Sequence, residues 1–350
     1  MECGGKSATA LSRTRGWLDV ALGTADNRQE MRVNTPSGTE GECLLGGGRL
    51  RLRGNCHCHS DYSDGAHAPE QTVARYRDAK YDFLYLTEHC DKLTYGAFPD
   101  FDALDSPDFR VVPGVEYRAT TVRYGRAAEA MILGLNTLEL SWWKPGIGQQ
   151  ATIDAINADG GLAILSCTYW DGRSVNEMVD LKGVYGIEIY NATCEGAVCK
   201  GLALTHWDEL LESGMRIYGL AVDDCHFSTW PDFELGWIVV CVDDTTPAAI
   251  TEAIRTGKFY SSCGPRLEEW SLQGSKITFR CSGAQTIVCN SVASSGYAIH
   301  APCGETLTGY VFDFSEKWAA DLPWLRFSCC DTHGRWAWTN PFWLNRMDLA

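Results

Sequence analysis

The chain has 350 residues, 45% hydrophobic and 21% charged, so it can bury a substantial core and has the composition of a soluble globular protein. Its formal net charge of −15 argues against a nucleic-acid-binding face, since such faces concentrate lysine and arginine. Sixteen cysteines occur without regular spacing and without a Cys-x-x-Cys pair, which argues against a disulfide framework, a zinc ribbon and a thioredoxin-like site.

We find no signal peptide and no apolar run of 18 residues. A cytoplasmic protein with reduced thiols and no membrane partner is therefore expected. The first 48 residues are polar, contain several glycines and lack periodicity, which predicts a flexible or loosely packed segment over 1–48.

From 49 to 265, short apolar runs alternate with helical patterns, and two helices are predicted to begin near Pro69 and Pro247. This alternation favours an α/β barrel over an all-β sandwich. The predicted strands are 51–59, 83–88, 110–117, 162–167, 186–191, 216–223 and 236–242.

Residues 266–350 lose this alternation. Short segments separated by Gly, Ser and Pro predict a small antiparallel β domain. Its aromatic residues, including Trp336, Trp338 and Trp343, are expected to pack in the core or between domains rather than to form a ligand platform.

The first predicted strand leads into a His-x-His pair. Period-2 geometry turns His57 and His59 to one face, and it turns Cys56 and Cys58 to the other face, where they are expected to act as small buried hydrophobes. Two imidazoles followed by Asp64 are typical of a metal site. An isolated pair of this kind is as readily explained by two hydrogen-bonded core or surface histidines, so other residues must decide.

Further candidate ligands follow other strands. His89 follows the second strand, Glu116 closes the third, and Asp224 and His226 follow the sixth. In an α/β barrel, reactive residues gather at the carboxyl ends of the strands, so these side chains are predicted to meet. The other four histidines lack this placement and are expected to be structural or surface residues; they are His67, His206, His300 and His333.

These motifs resemble the PHP (polymerase and histidinol phosphatase) family of metal-dependent phosphoesterases over about residues 53–265. The late stretch from Gly334 to Pro341 looks like the branch that contains carbaryl hydrolase-like proteins, in which a small β-rich domain follows the barrel. The resemblance implies an α/β fold with a distorted seven-stranded TIM-like (β/α)7 barrel. It rests on His57-x-His59 with Ser-Asp64-Gly, Leu-Thr-Glu-His89, Pro-Gly-Val-Glu116 and Asp224-x-His226.

The resemblance also implies ligand sets for up to three metal ions. One set is His57, His59, Glu116 and Asp224, and another is Asp64, His89 and His226.

At a third position, where the family has two histidines, this chain has Met131 and Cys167. A thioether is a weak ligand for zinc, manganese or iron, whereas a thiolate can bind zinc or iron. We therefore expect two divalent ions (Zn, Mn or Fe) and a third position that is absent or weak, with Cys167 as its one candidate ligand.

Such ions activate water for hydrolysis near neutral pH. The predicted function is a metal-dependent phosphoesterase that acts on a small phosphate monoester or cyclic phosphodiester through metal-activated water. Two alternatives stay open: hydrolysis of a carboxylic ester or carbamate at the same centre, and a metal-binding module with weakened catalysis. The expected partner is a small-molecule substrate, with no nucleic acid and no membrane, and the sequence leaves the oligomeric state undetermined.

Several neighbouring residues have weaker predicted roles. Arg118, Arg123 and Arg126 are predicted to lie in a loop after Glu116, where they would either receive a phosphate or be solvated. Asp223 is expected to face away from Asp224. Residues expected to support or orient the ligands are Glu88, Glu188 and Asn191.

Overall fold

The computed structural model describes residues 42–43, 50–228, 230–314 and 322–344. The flexible segment predicted for 1–48 lies outside these residues, except for 42–43. Six α-helices are described, and a 3₁₀ helix spans Val175–Glu177. The helices are α1 (Pro69–Asp78), α2 (Phe101–Leu104), α3 (Gln149–Ala158), α4 (Ala192–Val198), α5 (Leu204–Glu212) and α6 (Pro247–Arg255).

Eighteen strands are described within the same residues, and each predicted strand segment overlaps one of them. The first ten are β1 (Glu42–Cys43), β2 (Leu50–Asn55), β3 (Phe83–His89), β4 (Arg110–Arg123), β5 (Arg126–Leu135), β6 (Leu162–Leu165), β7 (Val184–Asn191), β8 (Tyr218–Val222), β9 (Trp237–Val242) and β10 (Phe259–Ser262). The others are β11 (Leu267–Gln273), β12 (Lys276–Ala284), β13 (Thr286–Asn290), β14 (Gly296–His300), β15 (Leu307–Asp313), β16 (Trp324–Cys330), β17 (Trp336–Thr339) and β18 (Phe342–Trp343).

The N-terminal half of the large sheet has the order β2-β3-β4-β5-β6-β7-β8. Its pairs β2/β3, β3/β4, β6/β7 and β7/β8 are parallel, and β5 pairs antiparallel with both neighbours. Every residue of β3 is buried, as expected for a parallel strand covered on both faces. A parallel bridge between Cys58 and Cys225 joins the chain after β2 to the chain after β8, so both ends of this strand series meet at one place.

The C-terminal strands extend the same sheet and build a second one. Strand β9 pairs antiparallel with β2 and β10, and β10 pairs with β17, which leads on through β16 and β13 to β14. A separate antiparallel sheet has the order β1-β11-β12-β15. The fold is therefore mixed α/β, with a large, partly parallel sheet and a separate antiparallel sheet, which confirms the predicted α/β class.

The prediction of a loop around Arg118, Arg123 and Arg126 is wrong. Strands β4 and β5 form an antiparallel hairpin, in which the pairing runs from Gly114 with Leu135 to Arg123 with Arg126. The two residues between these strands, Tyr124 and Gly125, both have positive φ (50° and 73°), which matches the right-handed strand twist at a two-residue hairpin. The start of β5 is rich in alanine and glutamate, which have weak β propensity, so the sequence pattern did not predict this strand. Pairing with β4 stabilises it.

The predicted helix starts at Pro69 and Pro247 are confirmed. At α6, the Thr246 side chain accepts a hydrogen bond from the Ala249 backbone N–H, which satisfies one of the free donors of the first turn. None of the helices in the described parts of the chain is long and apolar enough to cross a membrane.

Candidate metal centre

Four of the predicted ligands meet at one place. His57 and His59 follow β2 and Asp224 follows β8, but Glu116 lies within β4, which continues to Arg123, so the prediction that Glu116 closes its strand is wrong. The Nε2 atoms of His57 and His59 lie 3.1 Å apart, and each lies 3.1 Å from Oδ1 of Asp224. Oε2 of Glu116 lies 3.4 Å from His57 Nε2 and 3.5 Å from His59 Nε2. All four side chains are buried. The structure thus brings together every residue of the first predicted ligand set.

The second set lies beside the first, towards solvent. Oδ1 of Asp64 lies 3.4 Å from His89 Nε2 and 3.3 Å from His226 Nε2. The rings of His89 and His226 each stack on His59, with centroids 4.5 Å and 4.3 Å away. The side chain of Asp64 is 34% exposed, so this set faces the opening of the site.

Glu188 and Asn191, at the end of β7, orient this centre. Oε1 of Glu188 lies 2.6 Å from Nδ1 of His57, which leaves His57 Nε2 directed at Asp224. The Asn191 amide donates to Oε2 of Glu188 at 3.0 Å and to Oδ2 of Asp224 at 3.1 Å. Carboxylate and amide partners of this kind fix the tautomer and the orientation of metal-binding histidines.

Glu88 contacts serines rather than a ligand. Its carboxylate accepts hydrogen bonds from the Ser60 and Ser63 hydroxyls, and Ser63 Oγ lies 3.4 Å from His59 Nδ1. Burial raises the pKa of Glu88 to about 6, although the serine hydrogen bonds oppose the shift. Glu88 thus acts on His59 only through Ser63.

Asp223 faces away from the centre, as predicted. Its carboxylate accepts from the backbone N–H groups of Leu235 and Gly236 at 2.8 Å each, and from the Tyr76 hydroxyl at 2.9 Å. Burial raises the pKa of Asp223 to about 7, against the effect of these donors. Asp223 holds the segment before β9 and leaves ligation to Asp224.

The charges of the site perturb the histidines in opposite directions. Burial lowers the pKa of His59, and the neighbouring imidazoles of His226, His89 and His57 lower it further. Burial also lowers the pKa of His226, but its hydrogen bond to Asp64 and the Asp224 charge outweigh this and raise the pKa to about 9. His59 is therefore held neutral, which is the form that binds metal.

The same histidines lower the pKa values of the neighbouring carboxyl groups Glu116 and Asp64. Burial would raise the pKa of Glu116, but the charges of His89 and His57 hold it well below its ordinary value. Burial likewise opposes ionisation of Asp64, but its hydrogen bonds to His226 and Lys92 lower its pKa. Both groups are anionic ligand candidates at neutral pH.

The third predicted position contains sulfur. Sγ of Cys167 lies 3.9 Å from Glu116 Oε1 and 3.9 Å from Asp224 Oδ2. Met131 packs beside it, together with Cys194, a residue that the sequence interpretation overlooked. Its place three residues after Asn191, where β7 ends, was the one available signal. The hydrogen bond with Cys194, together with burial, raises the pKa of Cys167 well above its ordinary value.

The three arginines do not point free guanidinium groups at the centre. Arg118 pairs with Asp91 at 2.7 Å and with Glu129, and Arg123 pairs with Glu177 at 3.1 Å. Arg126 lies at the exposed start of β5.

The donor set fits divalent ions. Imidazole nitrogens and carboxylate oxygens suit zinc, manganese and iron. Nδ1 of His89 is buried and lacks a hydrogen-bond partner among the described residues, although Glu116 Oε2 lies 3.0 Å away. Two groups of side chains have donor atoms close enough to share one ion. The first is His59, Asp64, His89 and His226, and the second is His57, His59 and Asp224.

No family model and no curated protein matches the chain. Among solved structures, the chain is similar to a two-domain protein from Bacteroides vulgatus that contains a predicted PHP-like metal-dependent phosphoesterase, at 15% identity and a TM-score of 0.46, over 85% of this chain and 95% of that one.

It is also similar to a predicted metal-dependent phosphoesterase from Bifidobacterium adolescentis, at 13% identity and a TM-score of 0.36, over 49% of this chain and 87% of that one. A third similar structure is an amidohydrolase from Chromobacterium violaceum with bound sulfate and no metal, at 16% identity and a TM-score of 0.35, over 49% of this chain and 87% of that one.

Proposed function

We propose that this protein is a metal-dependent hydrolase, and specifically a phosphoesterase for a small phosphate monoester or cyclic phosphodiester. One observation carries the proposal: seven nitrogen- and oxygen-donor residues from distant parts of the chain converge at one place. Two of the groups that they form can each hold an ion. They are His57, His59, Asp64, His89, Glu116, Asp224 and His226.

Two divalent ions are proposed, one on each ligand set. When bound, such ions make water a nucleophile near neutral pH and neutralise charge that develops on a phosphoryl oxygen. The role of the protein is to present the donors in fixed orientations. Glu188 orients His57, and Asn191 orients Asp224.

The cavity around the centre has room for a small ligand, and two cationic side chains are among the residues that line it. It has a volume of about 230 Å³ and is lined on one side by Lys92 and Arg118. Nζ of Lys92 lies 2.5 Å from Asp64 Oδ2, so its ammonium group stands directly beside the proposed second ion site. Trp170 and Trp230 line the same cavity and are 46% and 38% exposed, so they offer apolar surface to the organic part of a substrate.

Other finer expectations stay part of this proposal. They include a seven-stranded barrel count, domain boundaries at 49–265 and 266–350, a cytoplasmic location and the carbaryl hydrolase-like branch. The expected partner is still a small-molecule substrate.

The test is turnover by protein reconstituted with Zn²⁺, Mn²⁺ or Fe²⁺ after metal removal. We expect hydrolysis of p-nitrophenyl phosphate or of a cyclic phosphodiester, with loss in His57→Ala and Asp64→Asn. Turnover of p-nitrophenyl acetate or an aryl carbamate alone would support the ester or carbamate alternative. Stoichiometric metal binding without turnover of any substrate would support a binding module and contradict the proposal.

A further inference from the structure

Three sulfur atoms lie together on the wall of the cavity. Met131 on β5, Cys167 after β6 and Cys194 in α4 form a buried cluster, and all three line the cavity that contains the proposed metal centre. They come from three different elements, so only the fold brings them together. The seven donors of the proposed centre are nitrogen and oxygen atoms, and the proposed hydrolytic chemistry does not use these sulfur atoms.

The spacing of these donors suits a single ion. The Sγ atoms of Cys167 and Cys194 and one carboxylate oxygen of Asp224 all lie within 4.8 Å of one another. Ligands at about 2.0–2.3 Å from a tetrahedral ion lie roughly 3–4 Å apart, so small side-chain movements would close this group on an ion. Glu116 Oε1, at 3.9 Å from Cys167 Sγ, is the nearest candidate for a fourth ligand.

The thiols are held towards the cavity by their surroundings. Cys167 has a φ of +52°, a left-handed conformation that cysteine seldom adopts, and its backbone N–H donates to Glu188 Oε2 at 2.8 Å. Asn191 Nδ2 lies 3.6 Å from Cys167 Sγ, and Asn191 Oδ1 accepts from the Cys194 backbone N–H at 2.9 Å. Asn191 therefore connects both cysteines and Asp224 in one hydrogen-bonded group.

We propose that this side of the cavity is a separate site for a thiophilic divalent ion of the zinc class. Thiolates of Cys167 and Cys194 and the carboxylate of Asp224 bind the ion, and the Met131 thioether lies alongside. Each thiol releases one proton to solvent on binding, since the thiolate is the ligand. The inference rests on the proposed function where the two sites share ligands, which are Asp224 and the candidate fourth ligand Glu116.

This site changes the expectation for the third position. Met131 and Cys167 alone would form a weak site, but Cys194 supplies a second thiolate. Two thiolates favour zinc or cadmium, whereas the nitrogen and oxygen donors next to them also accept manganese. The two kinds of site should therefore take up different ions from a mixture.

The test is a titration of reduced, metal-free, full-length protein with Co²⁺ and with Cd²⁺. We expect thiolate-to-metal charge-transfer absorption that saturates with added metal. Cys194→Ser and Cys167→Ser should lose this absorption and bind Cd²⁺ at least about tenfold more weakly, in line with the loss of a ligand. The matched control is Cys199→Ser, an exposed thiol just after the same helix, which should keep the absorption.

Several results would overturn the proposal. They are an absence of charge-transfer absorption in the wild-type protein, absorption that survives in both Cys167→Ser and Cys194→Ser, and a Cys167–Cys194 disulfide that peptide mapping still detects after treatment with a reductant. A Cys194→Ala variant, with its fold checked by near-ultraviolet circular dichroism, covers a folding failure of the serine variant. Mn²⁺ binding, measured by electron paramagnetic resonance, should be the same in Cys194→Ser and in the wild type. A wild-type protein that binds no Mn²⁺ would instead contradict the proposed hydrolytic centre.

Discussion

Glu188 and His57 form a short contact beside the first ligand set, with Oε1 of Glu188 2.6 Å from Nδ1 of His57. A carboxylate can only accept, so Nδ1 carries a proton, and Nε2 is left to face Asp224 and Glu116. Both partners are buried, so water cannot take the place of either. The pair fixes the tautomer that a metal ligand needs.

Glu188→Gln should weaken metal binding without unfolding the protein. The amide can still accept a hydrogen bond but loses the charge that supports the His57 ring, and changes of this kind cost about 10–100-fold in metal affinity. Isothermal titration with Mn²⁺ measures the effect. Glu209→Gln, at an exposed position of α5, is the control and should bind like the wild type. Equal affinity in the two variants would contradict the orienting role.

Gly65→Ala should disturb the second ligand set. A Cβ atom at Gly65 would lie 2.6 Å from the His59 backbone oxygen and 2.9 Å from the Ser60 Cα, so the backbone next to Asp64 must move. We expect the number of bound metal ions, measured by elemental analysis, to fall by one while the His57 set stays loaded. The control is Gly148→Ala, because a Cβ atom at Gly148 meets nothing within 4 Å. Full metal content in Gly65→Ala would refute the prediction.

Lys92→Ala should affect substrate binding more than the chemical step. Lys92 lines the cavity beside Asp64 and places positive charge where a phosphate would enter. We expect KM for p-nitrophenyl phosphate to rise roughly 5–10-fold with kcat changed less than about twofold, the pattern of a lost uniform binding contact. Steady-state kinetics measures both constants. Lys182→Ala, which lies outside this cavity, is the control; a large fall in kcat with KM unchanged would disprove this role.

Asp223→Ala should destabilise the fold. It removes the acceptor of the Gly236 N–H and the Tyr76 hydroxyl, which are buried, and of the Leu235 N–H, which is partly buried. Because buried donors without partners cost about 1–3 kcal/mol each, we expect a loss of roughly 3 kcal/mol in the free energy of unfolding. Urea denaturation measures it. Tyr76→Phe removes only one donor and should cost about 1 kcal/mol; equal losses in both variants would contradict the account.

Glu177 should make stability depend on pH. Burial opposes its ionisation, but the Ser174 backbone N–H and Arg123 lower the pKa of Glu177 below 4.5. A carboxylate with a lowered pKa stabilises the folded state above its unfolded pKa, and this contribution is lost as the pH falls through the folded value. The wild type should exceed Glu177→Gln by about 1 kcal/mol at pH 7, and the difference should shrink below about pH 4.5. Urea denaturation at several pH values checks it, and a constant difference would refute it.

The fold class and the first ligand residues could be read from the sequence because they depend on local patterns. The strand patterns that lead into His57-x-His59 and Asp224 carry their own signal, since a parallel strand exposes its carboxyl end to the site. The helix starts at Pro69 and Pro247 follow from the fixed φ of proline and its missing N–H.

Strand β5 could not be read this way. Its first half is alanine and glutamate, and its identity as a strand depends on pairing with β4 through a two-residue turn. The error carried over to Arg118 and Arg123, whose guanidinium groups pair with Asp91 and Glu177 rather than facing a ligand.

The sequence by itself determined which donor residues lie in or just after the strands, because strand periodicity and chain order are local. The tertiary structure alone decided which of them meet and which groups orient them. Cys194 joins Cys167 only because β7 and α4 bring it across the cavity, and Glu188 reaches His57 across 131 positions of sequence. Contacts between residues so far apart are set by the packing of the whole sheet, and no short pattern in the chain records them.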